Sequence, residues 1–207
     1  MKKLRKVSLS LLLCVGAVLS LFAQTKTNVI VKNEVFRVSY NETLEQPNWV
    51  EYDVRKITKV ADRDGMDFYT VKDVYTSNSA DYKNNVWDKG HMAPAAAFTD
   101  SYKNLKTTFS YLNCSLQFDK LNRGAWRELE AQERIWADKF GTLQIRVVLE
   151  FKEGHLVLPT GGHVPSGYFK YITFPNGTTK CYYFPNSTPT KHWSEYEYSC
   201  NRRKSVI

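Results

Sequence analysis

The segment Pro175-Asn176-Gly177 constrains the fold of this chain more than any other short stretch. It separates two runs rich in β-branched and aromatic residues, 168–174 and 178–184. Asn-Gly between such runs is typical of a tight hairpin, because both residues tolerate positive φ. The segment therefore predicts two adjacent antiparallel strands. The 13 Tyr, 11 Phe and 5 Trp residues also favour a fold rich in sheet, on which many aromatic side chains are half buried.

One long helix is predicted at residues 125–140. Asn122 or Asp119 could cap its start, and Gly141 lies where a residue with positive φ ends a helix. An apolar stripe recurs at helical spacing and is expected to face the core: Trp126, Leu129, Trp136 and Phe140. The sequence thus predicts a mixed, mainly antiparallel sheet with at least one long helix packed on it.

The remaining elements are predicted from alternating β-branched, aromatic and polar residues. Residues 24–48 are interpreted as a loosely held arm with a short strand, and residues 77–88 as a loop. A length of 207 residues suits one domain. The other strands are expected at residues 29–31, 49–57, 67–75, 107–112, 142–151 and 155–158.

The N-terminus is predicted to be a secretory signal peptide, residues 1–23. Its start is basic, residues 7–22 are mostly apolar, and cleavage is expected after Ala23. The apolar run is short for a membrane-spanning helix, and a retained anchor is the alternative. The domain would then comprise residues 24–207, secreted or periplasmic, with no stable membrane insertion.

Removing the four basic residues of the signal peptide lowers the formal net charge from +8 to +4. This charge permits a polyanionic substrate without demonstrating one. An exported chain meets an oxidising compartment, in which disulfides form. Cys114, Cys181 and Cys200 allow three pairings, of which Cys181–Cys200 is our interpretation because both lie near the C-terminus.

Three residues are candidates for chemistry. His91, in the stretch 87–94 (WDKGHMAP), is either a general base or an ordinary loop histidine. On a helical wheel Asn122 and Glu130 lie about 80° apart, so their oxygens could hold a hard cation. The alternative is that Asn122 caps the helix and that Glu130 forms a surface salt bridge with Arg134.

The order of these residues along the chain favours the catalytic interpretation over the structural one. Asp88-Lys-Gly-His91 is followed by Asn113, and then by Leu121-Asn122, Trp126 and Leu129-Glu130. This order resembles the DNA/RNA non-specific endonucleases of the ββα-metal (His-Me finger) superfamily. That family includes secreted sugar-non-specific nucleases and mitochondrial endonuclease G. The resemblance is firm over residues 87–134 and looser over 135–174. It implies an α+β fold in which a mainly antiparallel sheet carries a ββα-metal motif and one long helix.

The resemblance also implies roles for these residues. His91 would be the general base, and Asn122 the protein ligand of a hydrated Mg²⁺, for which Mn²⁺ could substitute. Glu130 would hold metal-bound waters. The remaining expected roles are phosphate contact by Arg134 and more weakly by Lys89, orientation of the site by Asn113, and maintenance of the substrate-binding loop by Asp88.

Two departures from the family pattern concern Lys89, where arginine is usual, and Leu116, where proline is usual. The family's phosphate-binding arginine in the N-terminal third could be Arg55 or Arg63. The expected function is a secreted, Mg²⁺-dependent endonuclease that hydrolyses DNA and RNA with little sequence preference and leaves 5′-phosphate ends. The alternatives are a non-catalytic nucleic-acid-binding protein on the same fold and a phosphodiesterase for a narrower substrate. DNA or RNA preference and oligomeric state stay open.

Overall fold

A computed structural model describes residues 25–200 of the chain. The predicted signal peptide lies outside the described residues. Within them, no helix is long and apolar enough to cross a lipid bilayer. Residues 25–200 form nine strands, named in chain order: β1 Val29–Lys32, β2 Phe36–Asn41, β3 Gln46–Val54, β4 Trp87–His91, β5 Cys114–Phe118, β6 Leu143–Glu150, β7 Gly167–Thr173, β8 Thr179–Pro185 and β9 Glu197–Tyr198.

Seven of these strands form one open antiparallel sheet in the order β1-β2-β3-β6-β7-β8-β9. The β7–β8 hairpin confirms the prediction from Asn176-Gly177, and Gly177 has a φ of 82°. A disulfide joins Cys181 of β8 to Cys200, and Cys114 is a buried free thiol, as interpreted from the sequence.

The other two strands, β4 and β5, pair with each other and lead into the main helical segment. A short helix, α1 (Tyr102–Thr108), lies between them in the chain. After β5 come one helical turn, α2 (Asp119–Leu121), a π-helical turn (Asn122–Trp126) and the long helix α3 (Arg127–Phe140). Helix α3 contacts β3 and β6. The predicted α+β fold is therefore confirmed.

Trp126 joins the ββα unit to the sheet. Its indole is fully buried, 5.4 Å from the ring of Tyr168 on β7 and 5.6 Å from that of Phe184 on β8. Replacing a buried aromatic side chain of this size with alanine typically costs about 3–5 kcal/mol. This contact fixes the start of α3 against the sheet.

Several predictions of local structure are wrong. The arm expected at residues 24–48 contains the predicted short strand, as β1, but it also contains β2 and the start of β3 and so is not loosely held. Residues 67–75 form a loop with one bridge, and residues 107–112 end α1 and enter a 3₁₀ turn. Residues 155–158 make only an isolated bridge. Phe68 and Phe109 of these segments line the site described below, whereas Val71, Val74 and Leu112 pack in the main core. These side chains are thus buried without belonging to a strand ladder.

The helix termini differ from the prediction at one end. Gly141 ends α3 with a φ of 97°, as expected. Neither Asp119 nor Asn122 caps the start, because the segment begins after Phe118 without a side-chain cap. The apolar stripe holds for Trp126 and Leu129, whereas Phe140 is 49% exposed.

Candidate active site

His91 is the last residue of β4 and not a loop residue. Its ring packs against Phe68 at 4.7 Å and edge-on against Phe109 at 4.8 Å between ring centroids. Its Nε2 is buried and has no hydrogen-bond partner among residues 25–200. Burial, reinforced by the Arg63 guanidinium, lowers the pKa of His91 to about 3. The imidazole is therefore neutral at physiological pH, with one nitrogen able to accept a proton.

Asn113 fixes the backbone that follows His91. Its Oδ1 accepts a hydrogen bond from the Ala93 amide at 2.7 Å, and its Nδ2 donates to the carbonyls of Ala93 and Thr108, each at 2.9 Å. Thr108 immediately precedes Phe109, whose ring packs on His91. The side chain is fully buried. Asn113 therefore clamps both segments that enclose the imidazole.

Gly90 is required by the side chain beside it. A Cβ at this position would lie 2.5 Å from Oε1 and 2.6 Å from Cβ of Gln117 on β5. No real Cβ tolerates such distances. The glycine thus allows β4 and β5 to pair in the register that sets His91 opposite Cys114.

Asp88 links β4 to the π-helical turn. Its Oδ2 accepts from Nδ2 of Asn122 at 2.9 Å, and both carboxylate oxygens accept from the guanidinium of Arg123, at 2.8 and 2.6 Å. Because Nδ2 of Asn122 is occupied, its orientation is fixed. The Oδ1 of Asn122 has no hydrogen-bond partner within the described part of the chain, so it is an available acceptor.

Glu130 lies on α3 and lines the same cleft as His91 and Asn122. Its Oε1 is buried and has no hydrogen-bond partner among residues 25–200. Burial raises the pKa of Glu130 to about 7, and the Lys170 charge opposes that rise. Arg134 donates to the backbone carbonyl of Glu130 at 3.0 Å, not to its carboxylate. The alternative of a surface salt bridge between the two side chains is therefore wrong.

The cleft that these residues line is open and has a volume of about 640 Å³. Lys89 also lines it, and its ammonium is 2.8 Å from the Asp67 carboxylate. Burial lowers the pKa of Lys89, but the combined effects of Asp67 and Tyr111 outweigh burial and raise it. Five cations surround three carboxylates in the lining: Arg63, Lys89, Arg123, Arg127 and Arg134 around Asp67, Asp88 and Glu130.

Of the two arginines considered in the N-terminal third, only one lines the cleft. Arg63 lines the cleft, with its guanidinium 5.7 Å from the centroid of the Phe109 ring. Arg55 forms a salt bridge with Asp100 at 2.8 Å and lines a different pocket.

Three cleft residues were missed by the sequence analysis: Asp67, Arg123 and Arg127. Arg127 had a signal, since positions 127, 130 and 134 recur at i, i+3 and i+7 and share one helix face. No sequence signal identified Asp67 or Arg123. Asp67 reaches the cleft because its loop folds back, and Arg123 is held there by its pairing with Asp88.

Known proteins with similar sequences are nucleases. A sequence model of the DNA/RNA non-specific endonuclease family matches residues 20–205. The nuclease of Serratia marcescens is 28% identical over 193 residues, which cover 87% of this chain and 68% of that protein. Nuclease C1 of Cunninghamella echinulata var. echinulata is 29% identical over 177 residues, which cover 74% of this chain and 68% of that protein.

The fold is similar to that of a solved structure. A chain in the crystal structure of the EndoG/EndoGI complex superposes with a TM-score of 0.73 at 21% sequence identity. The superposition covers 83% of this chain and 80% of that one. At this identity the likeness concerns the fold, whereas the sequence match to residues 20–205 carries the assignment. The chain therefore belongs to the DNA/RNA non-specific endonuclease family and is a nuclease.

Proposed function

We propose that this protein is an exported, Mg²⁺-dependent endonuclease that hydrolyses phosphodiester bonds in both DNA and RNA. The observation that carries the proposal is the meeting of three acceptors in one cation-lined cleft. They are Nε2 of His91, Oδ1 of Asn122 and the carboxylate of Glu130, and two of their atoms are buried without a protein partner among residues 25–200. Buried polar atoms in that state require a ligand or water.

His91 acts as the general base. Its neutral imidazole accepts a proton at Nε2 from the water that attacks phosphorus. The rings of Phe68 and Phe109 hold the imidazole in one orientation. Asn113 positions the chain on both sides of this arrangement and touches no reacting atom.

The residues present fit a hydrated Mg²⁺ ion. Asn122 would supply its Oδ1 as the protein ligand, and Glu130 would accept hydrogen bonds from the ion's waters. Magnesium prefers oxygen ligands and keeps several waters. When bound, it would offset the charge that develops on the phosphate and the leaving oxygen. Asp88 holds Asn122 in orientation for this role. Mn²⁺ has the same preference for oxygen and could substitute.

The cations of the cleft bind the phosphate backbone. Arg134 and Arg63 are the principal contacts, and Lys89 contributes once a phosphate competes with Asp67 for its ammonium. Backbone contacts carry no direct base information, so cleavage has little sequence preference. Water attacks phosphorus, the bond from phosphorus to the 3′ oxygen breaks, and the products carry 5′-phosphate and 3′-hydroxyl ends.

Export rests on the sequence of residues 1–23, with cleavage after Ala23. The mature enzyme would act outside the cytoplasm, in the periplasm or the medium. Degradation of extracellular nucleic acid would be its role there.

The test is cleavage of closed-circular plasmid and of a long RNA by the chain from Gln24. Each substrate is incubated with Mg²⁺ or with EDTA, beside the variants His91→Ala and Asn122→Ala. Cleavage should require the metal and should fall roughly 10²- to 10⁴-fold without His91. His155→Ala is the matched control, because His155 lies outside the cleft and should leave cleavage unchanged.

One result would overturn the proposal. Intact plasmid and intact RNA in every lane, with folded protein and metal present, would favour the non-catalytic nucleic-acid-binding protein. That alternative predicts binding that weakens with salt and persists in His91→Ala.

A further inference from the structure

Lys170, on β7, carries a charge in the interior of the protein. Its side chain and that of Glu133 are both fully buried, and its Nζ lies 2.7 Å from Oε1 of Glu133. The other ion pairs of residues 25–200 are all partly exposed. Burying two charges costs desolvation that their attraction often fails to repay. Stability alone is therefore a weak explanation for this pair.

Glu133 of the buried pair lies about one helical turn from Glu130, which lines the cleft. Trp126, Glu130 and Glu133 recur at i, i+4 and i+7, and so share one face of the helical segment. Lys170 contacts both outer members of this series, since its Nζ is also 4.2 Å from the centroid of the Trp126 ring. Glu130 lies between them. The electrostatic influence of Lys170 on Glu130 agrees with this placement.

The same cluster is tied to the sheet from two sides. Lys170 belongs to β7, and the hydroxyl of Tyr52 on β3 donates to the other oxygen of Glu133 at 3.5 Å. The face of α3 that carries Glu130 is thus held by charged and polar contacts with two strands.

We propose that Lys170 is a positioning residue for the nuclease reaction, whose buried ammonium holds Trp126 and Glu133 on either side of Glu130 and so fixes the Glu130 carboxylate in the cleft. The inference rests on the proposed function. Lys170 is fully buried, so it acts through Glu130 and does not touch the substrate.

The test removes the charges of Lys170 and Glu133 together. The variant Lys170→Met/Glu133→Met avoids an unpaired buried carboxylate, and replacing a buried pair by apolar residues is often neutral for stability. We expect an unchanged KM for plasmid and a kcat lower by roughly 10- to 100-fold, as for the loss of groups that orient metal-bound waters. Lys180→Met/Glu197→Gln removes a partly exposed pair outside the cleft and should retain the wild-type kcat.

Repeating the replacement in a Glu130→Gln variant distinguishes a positioning role of Lys170 from general structural support. On Glu130→Gln, the Lys170/Glu133 replacement should lower kcat no further, because its effect passes through the Glu130 carboxylate. An equal loss with and without that carboxylate would overturn the proposal. So would a folded variant with the wild-type kcat.

A third variant keeps the test available if the apolar replacement does not fold. Glu133→Gln retains the ammonium, and its effect on kcat should likewise disappear on Glu130→Gln. An effect that persists there would contradict the proposal. Failure of the proposed function would be seen separately, as a wild-type enzyme that cleaves neither DNA nor RNA.

Discussion

At the residue scale, two half-buried groups of the cleft have pKa values that are shifted in opposite directions. Burial lowers the pKa of His91 to about 3 and raises that of Glu130 to about 7. Desolvation favours the neutral form of both groups, which is the basic form of a histidine but the acidic form of a glutamate. At neutral pH, therefore, the His91 imidazole is neutral and the Glu130 carboxyl group is only partly ionised.

This difference predicts which group sets the pH dependence. His91 stays neutral down to about pH 3, so it should not limit the rate on the acid side. Glu130 gains its charge as pH rises through about 7, and kcat/KM should rise over the same range at low Mg²⁺. A cation beside a carboxylate favours its charged form. Higher Mg²⁺ should therefore move the midpoint to lower pH.

The measurement is a pH profile of kcat/KM at several metal concentrations. A midpoint that stays fixed as Mg²⁺ increases would contradict the assignment to Glu130. A profile that falls only near pH 3 would assign the acid limb to His91 instead.

At the element scale, the site depends on the register of β4 against β5. Gly90→Ala would force its new Cβ onto the side chain of Gln117, 2.5 to 2.6 Å away. Overpacking of this kind typically costs about 1–3 kcal/mol. We expect a lower free energy of unfolding in urea and a lower kcat, because His91 follows directly. Gly90→Ala/Gln117→Gly removes the opposing atoms and should recover part of the stability, whereas a fully stable Gly90→Ala would refute the steric argument.

The disulfide gives a second prediction at this scale. Cys181 and Cys200 are 19 residues apart, and a cross-link over a loop of this length contributes about 3 kcal/mol. Cys181→Ala/Cys200→Ala should lower the Tm and abolish the effect of reductant on it. Cleavage at lower temperature should persist, because neither cysteine lines the cleft. Cys114→Ala is the control, and its Tm should still fall when reductant is added.

Elements with local chemistry could be predicted from the sequence, and elements set by distant contacts could not. The hairpin at Asn176-Gly177 and the end of α3 at Gly141 depend on residues that tolerate positive φ. In contrast, Phe68 and Phe109 are of a residue type that is common in strands, yet they lie in two loops and pack against His91. Sequence alone does not distinguish an aromatic ring that packs on a sheet from one that packs on a site.

The site likewise combines residues that could be predicted from the sequence with contacts that could not. His91, Asn122 and Glu130 were predicted from their order in the chain, and all three line one cleft. The pairing of Asp88 with Arg123 joins residues 35 positions apart. A helical wheel could not reveal this pairing, because it compares residues of one helix and Asp88 lies on β4.

At the scale of the whole molecule, the net charge is modest, but basic side chains are concentrated in the cleft. The chain without residues 1–23 has a formal charge of only +4, yet five cations line one cleft. Two of them, Lys89 and Arg123, are already paired with carboxylates. Arg63 and Arg127 have no ion-pair partner among residues 25–200, so they can bind phosphate without breaking an existing pair.

Arg127 allows this arrangement to be tested through the dependence on salt. A cation that neutralises one phosphate of duplex DNA adds about 0.9 to the slope of log affinity against log salt concentration. Arg127→Ala should lower kcat/KM at low salt and reduce its salt slope by about one contact, with kcat unchanged at saturating DNA. Arg37→Ala is the matched control, because Arg37 pairs with Glu51 on the sheet and does not line the cleft. An unchanged slope in Arg127→Ala would mean that the DNA backbone passes the cleft without contacting this end of α3.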